Sequence, residues 1–248
     1  MSVLSVEVRS GVAVLTLSDP DRRNILSAAM CMALSAAVAE AANDPHVNAL
    51  LITGAGSAFC AGADLAALEA ASKGDDREVL AVYKAFMDVA DSVLPTVAVV
   101  NGPAVGAGFN LALACDWRIA GARARFDTRF LKLGLHPGGG HGWMLIRAIG
   151  WAAASRLLLG GGSADAVEAL RIGLVETVAP DDQLLETALA SLGDLGRTPR
   201  ELLLRTKASM RQATKTTHAE AFIHETIEQR WSLGEPAFAA MVARAAAR

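Results

Sequence analysis

Residues 96–116 read TVAVVNGPAVGAGFNLALACD. A β-branched, uncharged run meets Gly102-Pro103 and then a glycine-bearing turn, GAGFN (106–110), which opens an alanine- and leucine-rich segment. This predicts a buried strand at 96–101 and a helix from about Phe109 to Cys115. The first-turn N–H groups of a helix have no partner inside it and lie at the positive end of its dipole. A turn of this kind is suited to hold a partial negative charge.

The same pattern occurs earlier in the chain. CAGADL (60–65) and GAGFNL (106–111) both read small–Ala–Gly–x–(Asp or Asn)–Leu, 46 residues apart. Each follows a short apolar run, NALLIT (48–53) and TVAVVN (96–101), and each is expected to open a helix. Repeated strand–turn–helix units set equivalent turns near each other at one end of a sheet. Ala61 and Ala107 occupy matching places, and two converging amides can bind a carbonyl oxygen that becomes an oxyanion. The adjacent glycines allow close backbone approach. Asp64 and Asn110 also match, and each reads equally well as a cap of its own helix. Phosphate binding is the rival reading, but a P-loop needs Lys-Ser/Thr after its glycines and a dinucleotide site needs G-x-G-x-x-G. Neither is present.

Outward from these turns, Val3–Val8 and Val12–Leu17 alternate around Ser10-Gly11 and predict a β-hairpin. Ser27 caps a helix running to about Asn43. SKGDDRE (72–78) is a polar break, and the next helix is expected over Val79–Leu94. Short strands are expected at Trp117–Ala120 and Ala124–Phe126, then a glycine loop, TRFLKLGLHPGGGHG (128–142). Helices are expected at 142–150, 151–160 and 163–173, a last strand at Leu174–Val178, and helices from Asp181 onward. The chain has 248 residues, 52% of them apolar, with a net charge of −3. That is a globular protein with a sizeable core, not basic enough to favour nucleic acid. The uncharged run Ser92–Cys115 is long enough to cross a membrane, but Pro95, Asn101, Pro103 and several glycines interrupt it, so no span is expected. No signal-peptide pattern begins the sequence. Three dispersed cysteines, Cys31, Cys60 and Cys115, fit buried thiols in a reducing, cytoplasmic setting. No metal-ligand spacing and no nucleophilic triad is visible.

Together, GSAFCAGADL (56–65), VVNGPAVGAGFNLALACDWRIA (99–120) and LGLHPGGG (133–140) resemble the enoyl-CoA hydratase/isomerase (crotonase) family. SDPDRRNILS (18–27) resembles its N-terminal loop and EALRIGLVETVAP (168–180) the segment before its C-terminal helices. The resemblance implies an α/β fold, a crotonase-like ββα spiral over residues 1–196, and a helical C-terminal region, 197–248, that packs in a homotrimer or dimer of trimers. It implies a coenzyme A thioester as substrate or ligand and no other cofactor. The amides of Ala61 and Ala107 would hold the thioester oxygen. Backbone around Ala61, Gly62, Ala63, Asp64 and Leu65 would contact the adenine and pantetheine, with Asn110 and Phe130 beside the acyl group. Arg23, Lys207 and Lys215 are candidates for the coenzyme A phosphates.

One part of the family pattern is absent. Hydratases of this family use two glutamates, which fall here at Asn110 and Phe130; isomerases can use an acid at the position of Gly138. Asn orients a water but accepts no proton near neutral pH, and Phe does neither. Each positioned acid or base is worth about 10²–10⁴ in rate. The substitutes in reach are His136 in the glycine loop, with His141 just beyond it, and Asp127, which also reads as a structural partner of Arg125 or Arg129. His46, His218 and His224 read as surface or packing residues. Two functions therefore stand: an enzyme of enolate chemistry with unusual proton-transfer groups, or an acyl-CoA binding or shuttling protein without chemistry.

Overall fold

The computed structural model describes residues 2–193, 195 and 198–246. Strands β1 (Leu4–Arg9) and β2 (Val12–Leu17) form the hairpin, in antiparallel register from Arg9↔Val12 to Leu4↔Leu17. Ser10 and Gly11 both take positive φ, 49° and 81°, as a two-residue turn matched to strand twist requires. From β2 the sheet continues in parallel through β3 (Ala49–Gly54), β4 (Thr96–Val100), β6 (Trp117–Gly121) and β9 (Thr177–Ala179). A second sheet orders β5 (Pro103–Val105), β7 (Arg125–Asp127) and β8 (Ser163–Asp165). Successive circuits of the chain lay one strand in each sheet before a helix: β4, β5 and then α4 (Ala107–Ala114); β6, β7 and then α5 (His141–Leu159). Cys60 makes an isolated parallel bridge to Ala104, so the 60–65 turn joins the edge of the second sheet. This is the expected ββα spiral.

Both faces of the main sheet are covered, as parallel strands demand. In β3, Leu50 and Ile52 pack with α1 (Ala28–Asn43) and α3 (Arg77–Ala90) in the larger core. Ala49 and Leu51 point the other way, against Leu184 and Ala188 of α7 (Leu184–Ser191). Ser27 caps α1, accepting from the Met30 amide at 3.3 Å. Helix α2 (Leu65–Ser72) precedes the polar break.

Three boundaries differ from expectation. Helix α3 begins two residues earlier than expected and ends at Ala90, before Pro95. Residues 163–165, expected to be helical, are β8: they pair with β7, and Asp165 instead caps α6 (Ala166–Arg171) by accepting from the Glu168 amide at 2.8 Å. The last strand starts at Thr177 rather than Leu174, because Gly173 at φ 74° closes α6 and the Leu174 amide still bonds back to Ala169. The two helices expected at 142–150 and 151–160 are both present within α5 and part where expected, at Gly150, whose φ of 72° is non-helical.

The expected boundary at 196/197 lies outside the described residues. Helix α8 (Arg200–Ala213) is fastened to the core and is no loose appendage. Arg200 donates to the carbonyls of Val47 and Ala42, and buried Lys207 donates to Leu94 O and Asp116 Oδ2, both at 2.6 Å. By contrast, α9 (His218–Leu233) and α10 (Pro236–Ala246) have no buried residue and expose Phe222, Ile223, Ile227 and Met241. Among the described residues no helix is long and apolar enough to cross a membrane.

Candidate active site

The two matched turns meet. The amides of Phe59 and Cys60 both donate to Pro103 O at 3.1 Å, and Val105 N returns a bond to Cys60 O at 3.0 Å. Glycine is required at this junction. A Cβ on Gly108 would collide with the Cys60 carbonyl, and one on Gly62 (φ +97°) would lie 2.6 Å from Val105 O. The same Gly62 Cβ position lies 3.5 Å from the Ala107 amide nitrogen, so the Gly62–Ala63 backbone borders the start of α4.

The matched motifs do not start their helices at matched places. Ala107 is the first residue of α4, and among the described residues its amide has no hydrogen-bond partner. Ala61 lies four residues before the start of α2, and its amide donates to Arg23 O at 3.0 Å. The expected donor at Ala61 is therefore already committed to the N-terminal loop, which also bonds Leu26 N to Gly62 O at 2.8 Å. Among the described residues, the amide of Ala63, the residue after the close approach of Gly62 to Ala107, is one of those in this turn that donate no hydrogen bond.

One helical turn on from Ala107, Asn110 is buried (1% exposed) and organises the site's interior. Its Nδ2 donates to Gly138 O at 3.0 Å, and its Oδ1 lies 2.5 Å from His141 Nδ1. The network fixes the protonation pattern. Gly138 O can only accept, so the Asn110 amide turns its NH₂ toward it and its oxygen toward His141. Nδ1 then carries the proton and donates, and Nε2 is left as a lone-pair nitrogen. Nε2 is buried and has no partner among the described residues. An orphaned buried acceptor costs about 1–3 kcal/mol. The imidazole stands edge-on to Phe109 and Phe130, with ring centroids 5.2 and 4.9 Å away. Burial among these rings pulls its pKa down to about 4, so it is neutral at pH 7.

A family model, that of enoyl-CoA hydratase/isomerase, matches residues 7–230. The chain belongs to the enoyl-CoA hydratase/isomerase family. It is 47% identical to the protein named "Probable enoyl-CoA hydratase EchA14" of Mycobacterium tuberculosis H37Rv, over 97% of this chain and 96% of that one. It is 39% identical to the 2,3-dehydroadipyl-CoA hydratase of Escherichia coli K12, over 86% of this chain and 83% of the relative. Among solved structures, an enoyl-CoA hydratase from Polaromonas sp. JS666 superposes with TM-score 0.88 at 31% identity, covering 97% of each chain.

Within this family frame, the three positions that lack an acid come together: Phe130 packs on His141, and Gly138 accepts from Asn110. A Cβ on Gly138 would meet the Tyr83 hydroxyl, so a larger residue there requires the tyrosine to shift. Tyr83 of α3 is thus a site neighbour that sequence reasoning missed. Its signal was its place on a helix whose Val82, Phe86 and Val89 face the core.

Two proposed proton carriers do not join the cluster. Asp127 is buried, but its carboxylate accepts from Arg129 N at 2.9 Å and Arg129 Nη2 at 3.0 Å, which is the structural pairing. His136 is exposed, and its Nδ1 lies 2.8 Å from Pro137 O. The loop histidine inside the site is instead His141, the first residue of α5, brought there by Gly139 and Gly140 at φ 63° and 76°. Asp64 caps α2 through the Ala66 amide at 3.0 Å and pairs with Arg22 at 2.5 Å; Leu65 is exposed. Lys207, buried against Asp116, is unsuited to a coenzyme A phosphate, whereas Arg23 and Lys215 are exposed. Burial raises the thiols of Cys60 and Cys115 to about 12 and Cys31 to about 11, far from nucleophilic at pH 7. Among the described residues no group of His, Cys, Asp and Glu could hold a metal ion.

Proposed function

We propose that the chain binds an acyl- or enoyl-coenzyme A thioester and stabilises its enolate oxygen between the amides of Ala63 and Ala107. The supporting observation is the pair of unpartnered amides in two turns hydrogen-bonded to each other, one at the positive end of a buried helix. Ala63 replaces Ala61 in this reading because the Ala61 amide is committed to Arg23 O. The pantetheine and adenine would follow the backbone of Gly62–Leu65, with the acyl group toward Asn110 and Phe130. Exposed Arg23, whose carbonyl accepts from the Ala61 amide, is one candidate for the phosphates, and Lys215 of a second copy is the alternative. The thioester is the substrate or ligand, and no other cofactor is invoked.

Features of the surface support assembly. The exposed apolar residues of α9 and α10 would be covered in a homotrimer or a dimer of trimers, which light scattering would weigh. The buried, unpaired thiols fit a cytoplasmic protein.

The reaction class is the family's: hydration, a double-bond shift or another enolate step, as the names of its relatives suggest. A second reading, a non-catalytic acyl-CoA carrier, has one observation in its favour: the Asn110–His141 cluster contains no carboxylate. Calorimetry with acetyl-, hexanoyl- and dodecanoyl-CoA, followed by turnover of 2-hexenoyl-CoA on the same sample, separates the two. Binding with turnover supports the enzyme. Binding without any turnover or proton exchange supports the carrier. No binding of any thioester rejects both.

A further inference from the structure

The Asn110–His141 pair stands where the family's acids are missing, and its geometry asks for an explanation. A buried polar atom without a partner is an exception in folded proteins, and functional sites are one place where such atoms persist. Here the exception is specific. Asn110 fixes His141 Nδ1 as the donor, Phe109 and Phe130 flank the ring, and the one nitrogen with a free lone pair is Nε2. Asn110 sits one helical turn after Ala107, so the imidazole is anchored to the same short helix whose first amide is unpartnered.

We propose that His141 Nε2 is the base that removes and returns the proton at the α-carbon of the bound thioester, with Asn110 as its positioning residue. This rests on the thioester reading. The step balances without a co-reactant. The α C–H bond breaks, its proton goes to Nε2, and its electron pair moves through the carbon–carbon bond onto the thioester oxygen as an enolate. The reverse transfer restores the thioester, or delivers the proton to the γ-carbon when the substrate has a β,γ double bond, which then moves into conjugation with the carbonyl. A neutral imidazole suits this role, since it begins with a vacant lone pair and gains its proton only in the step. Phe130, over the ring edge, is the residue that must shift to admit the acyl chain, and 3₁₀ residues Phe130–Leu133 are flanked by Arg129 and Gly134 at positive φ.

The test is deuterium uptake at the α-carbon of hexanoyl-CoA in D₂O, read by mass spectrometry, beside calorimetric affinity for the same thioester. The wild type should exchange, and His141→Gln should lose about 10²–10⁴ of the exchange rate with little change in affinity. Asn110→Asp places a carboxylate on Nδ1, so it should move the half-maximal pH of exchange upward. A purely structural role for the pair would not move that profile. ¹⁵N spectra should show His141 as the Nδ1–H tautomer, with the Nε2 signal shifting when hexanoyl-CoA binds; this readout needs no variant to fold. Binding by the wild type without exchange, exchange surviving in folded His141→Gln, or an Nε2 signal indifferent to bound thioester would each overturn the proposal while leaving the thioester site intact. Failure of acetyl-, hexanoyl- and dodecanoyl-CoA to bind would overturn both together.

Discussion

The turns at 60–65 and 106–111 carry the same motif and do different work. In the first, Asp64 is the N-cap of α2, half in solvent and paired with Arg22. In the second, Asn110 is the fourth residue of α4, a helix buried along its whole length, and its side chain holds His141 and Gly138. The first turn runs on for four non-helical residues, Ala61–Asp64, before its helix, and the second becomes helical at Ala107. The reason lies in what surrounds them. The N-terminal loop takes the Ala61 amide through Arg23 O, while β7 takes the Gly106 amide through Asp127 O at 2.9 Å and leaves the α4 start open. Similar sequence gave turns that meet but differ in where their helices begin, and unequal neighbours set different surroundings for matched residues.

The comparison can be broken first at the contact between the turns. Gly108→Ala should cost more than about 3 kcal/mol in urea unfolding, because its Cβ meets backbone that cannot move aside. A Gly74→Ala control has open space and only its φ of 96° to strain it, so it should cost less. Next come the amides. Ala63→Pro should lower turnover or α-exchange by about 10²–10³ in folded protein, the effect of one lost oxyanion donor. Ala61→Pro should instead show mainly in stability, through loss of the bond to Arg23 O. Equal kinetic effects at both positions would return Ala61 to the site.

Smaller effects sharpen the contrast between the matched polar residues. Asn110→Ala leaves His141 Nδ1 and Gly138 O without their partner and should cost about 2–3 kcal/mol. Asp64→Ala loses a cap and a surface ion pair and should cost about 1 kcal/mol. Chemical denaturation of the two variants side by side checks the ranking. Last is the pH dependence of stability. His141 has its folded pKa pulled down to about 4 from 6.5, so between those values the unfolded chain binds a proton that the folded one refuses. Its contribution is constant above pH 6.5 and falls as the pH drops through that window. No charged side chain packs on the ring to offset this: its neighbours are Phe109, Asn110 and Phe130, and the Asp127 carboxylate on β7 is held by Arg129. His141→Gln should therefore flatten the stability curve, by about 1 kcal/mol at pH 5.5 relative to wild type.

Much of the fold was legible because it follows local rules. The Ser10-Gly11 hairpin, the Ser27 cap, the break at Gly150 and the uncharged strands β3 and β4 each announce themselves in a few residues. The elements misplaced by sequence, β8 and β9, are three residues long, and pairing with distant strands defines them. The site divides the same way. Asn110, Phe130 and Gly138 were identified as one locus from the family motifs, and they do converge. Choosing among His136, Asp127 and His141 required knowing which side chains find partners. Asp127 is paired with Arg129, His136 is exposed, and the loop at Gly139-Gly140 brings His141 into the buried cluster.

By itself the sequence determined the repeated turn, the family, and the absence of carboxylates at the usual places, because these are properties of residue identity and spacing. The tertiary structure alone decided that the Ala61 amide is taken by Arg23 O, that Gly138 faces the Tyr83 hydroxyl, and which histidine nitrogen is left with a lone pair. Those outcomes depend on hydrogen bonds and contacts between segments far apart in the chain, and no local pattern encodes who reaches a donor first.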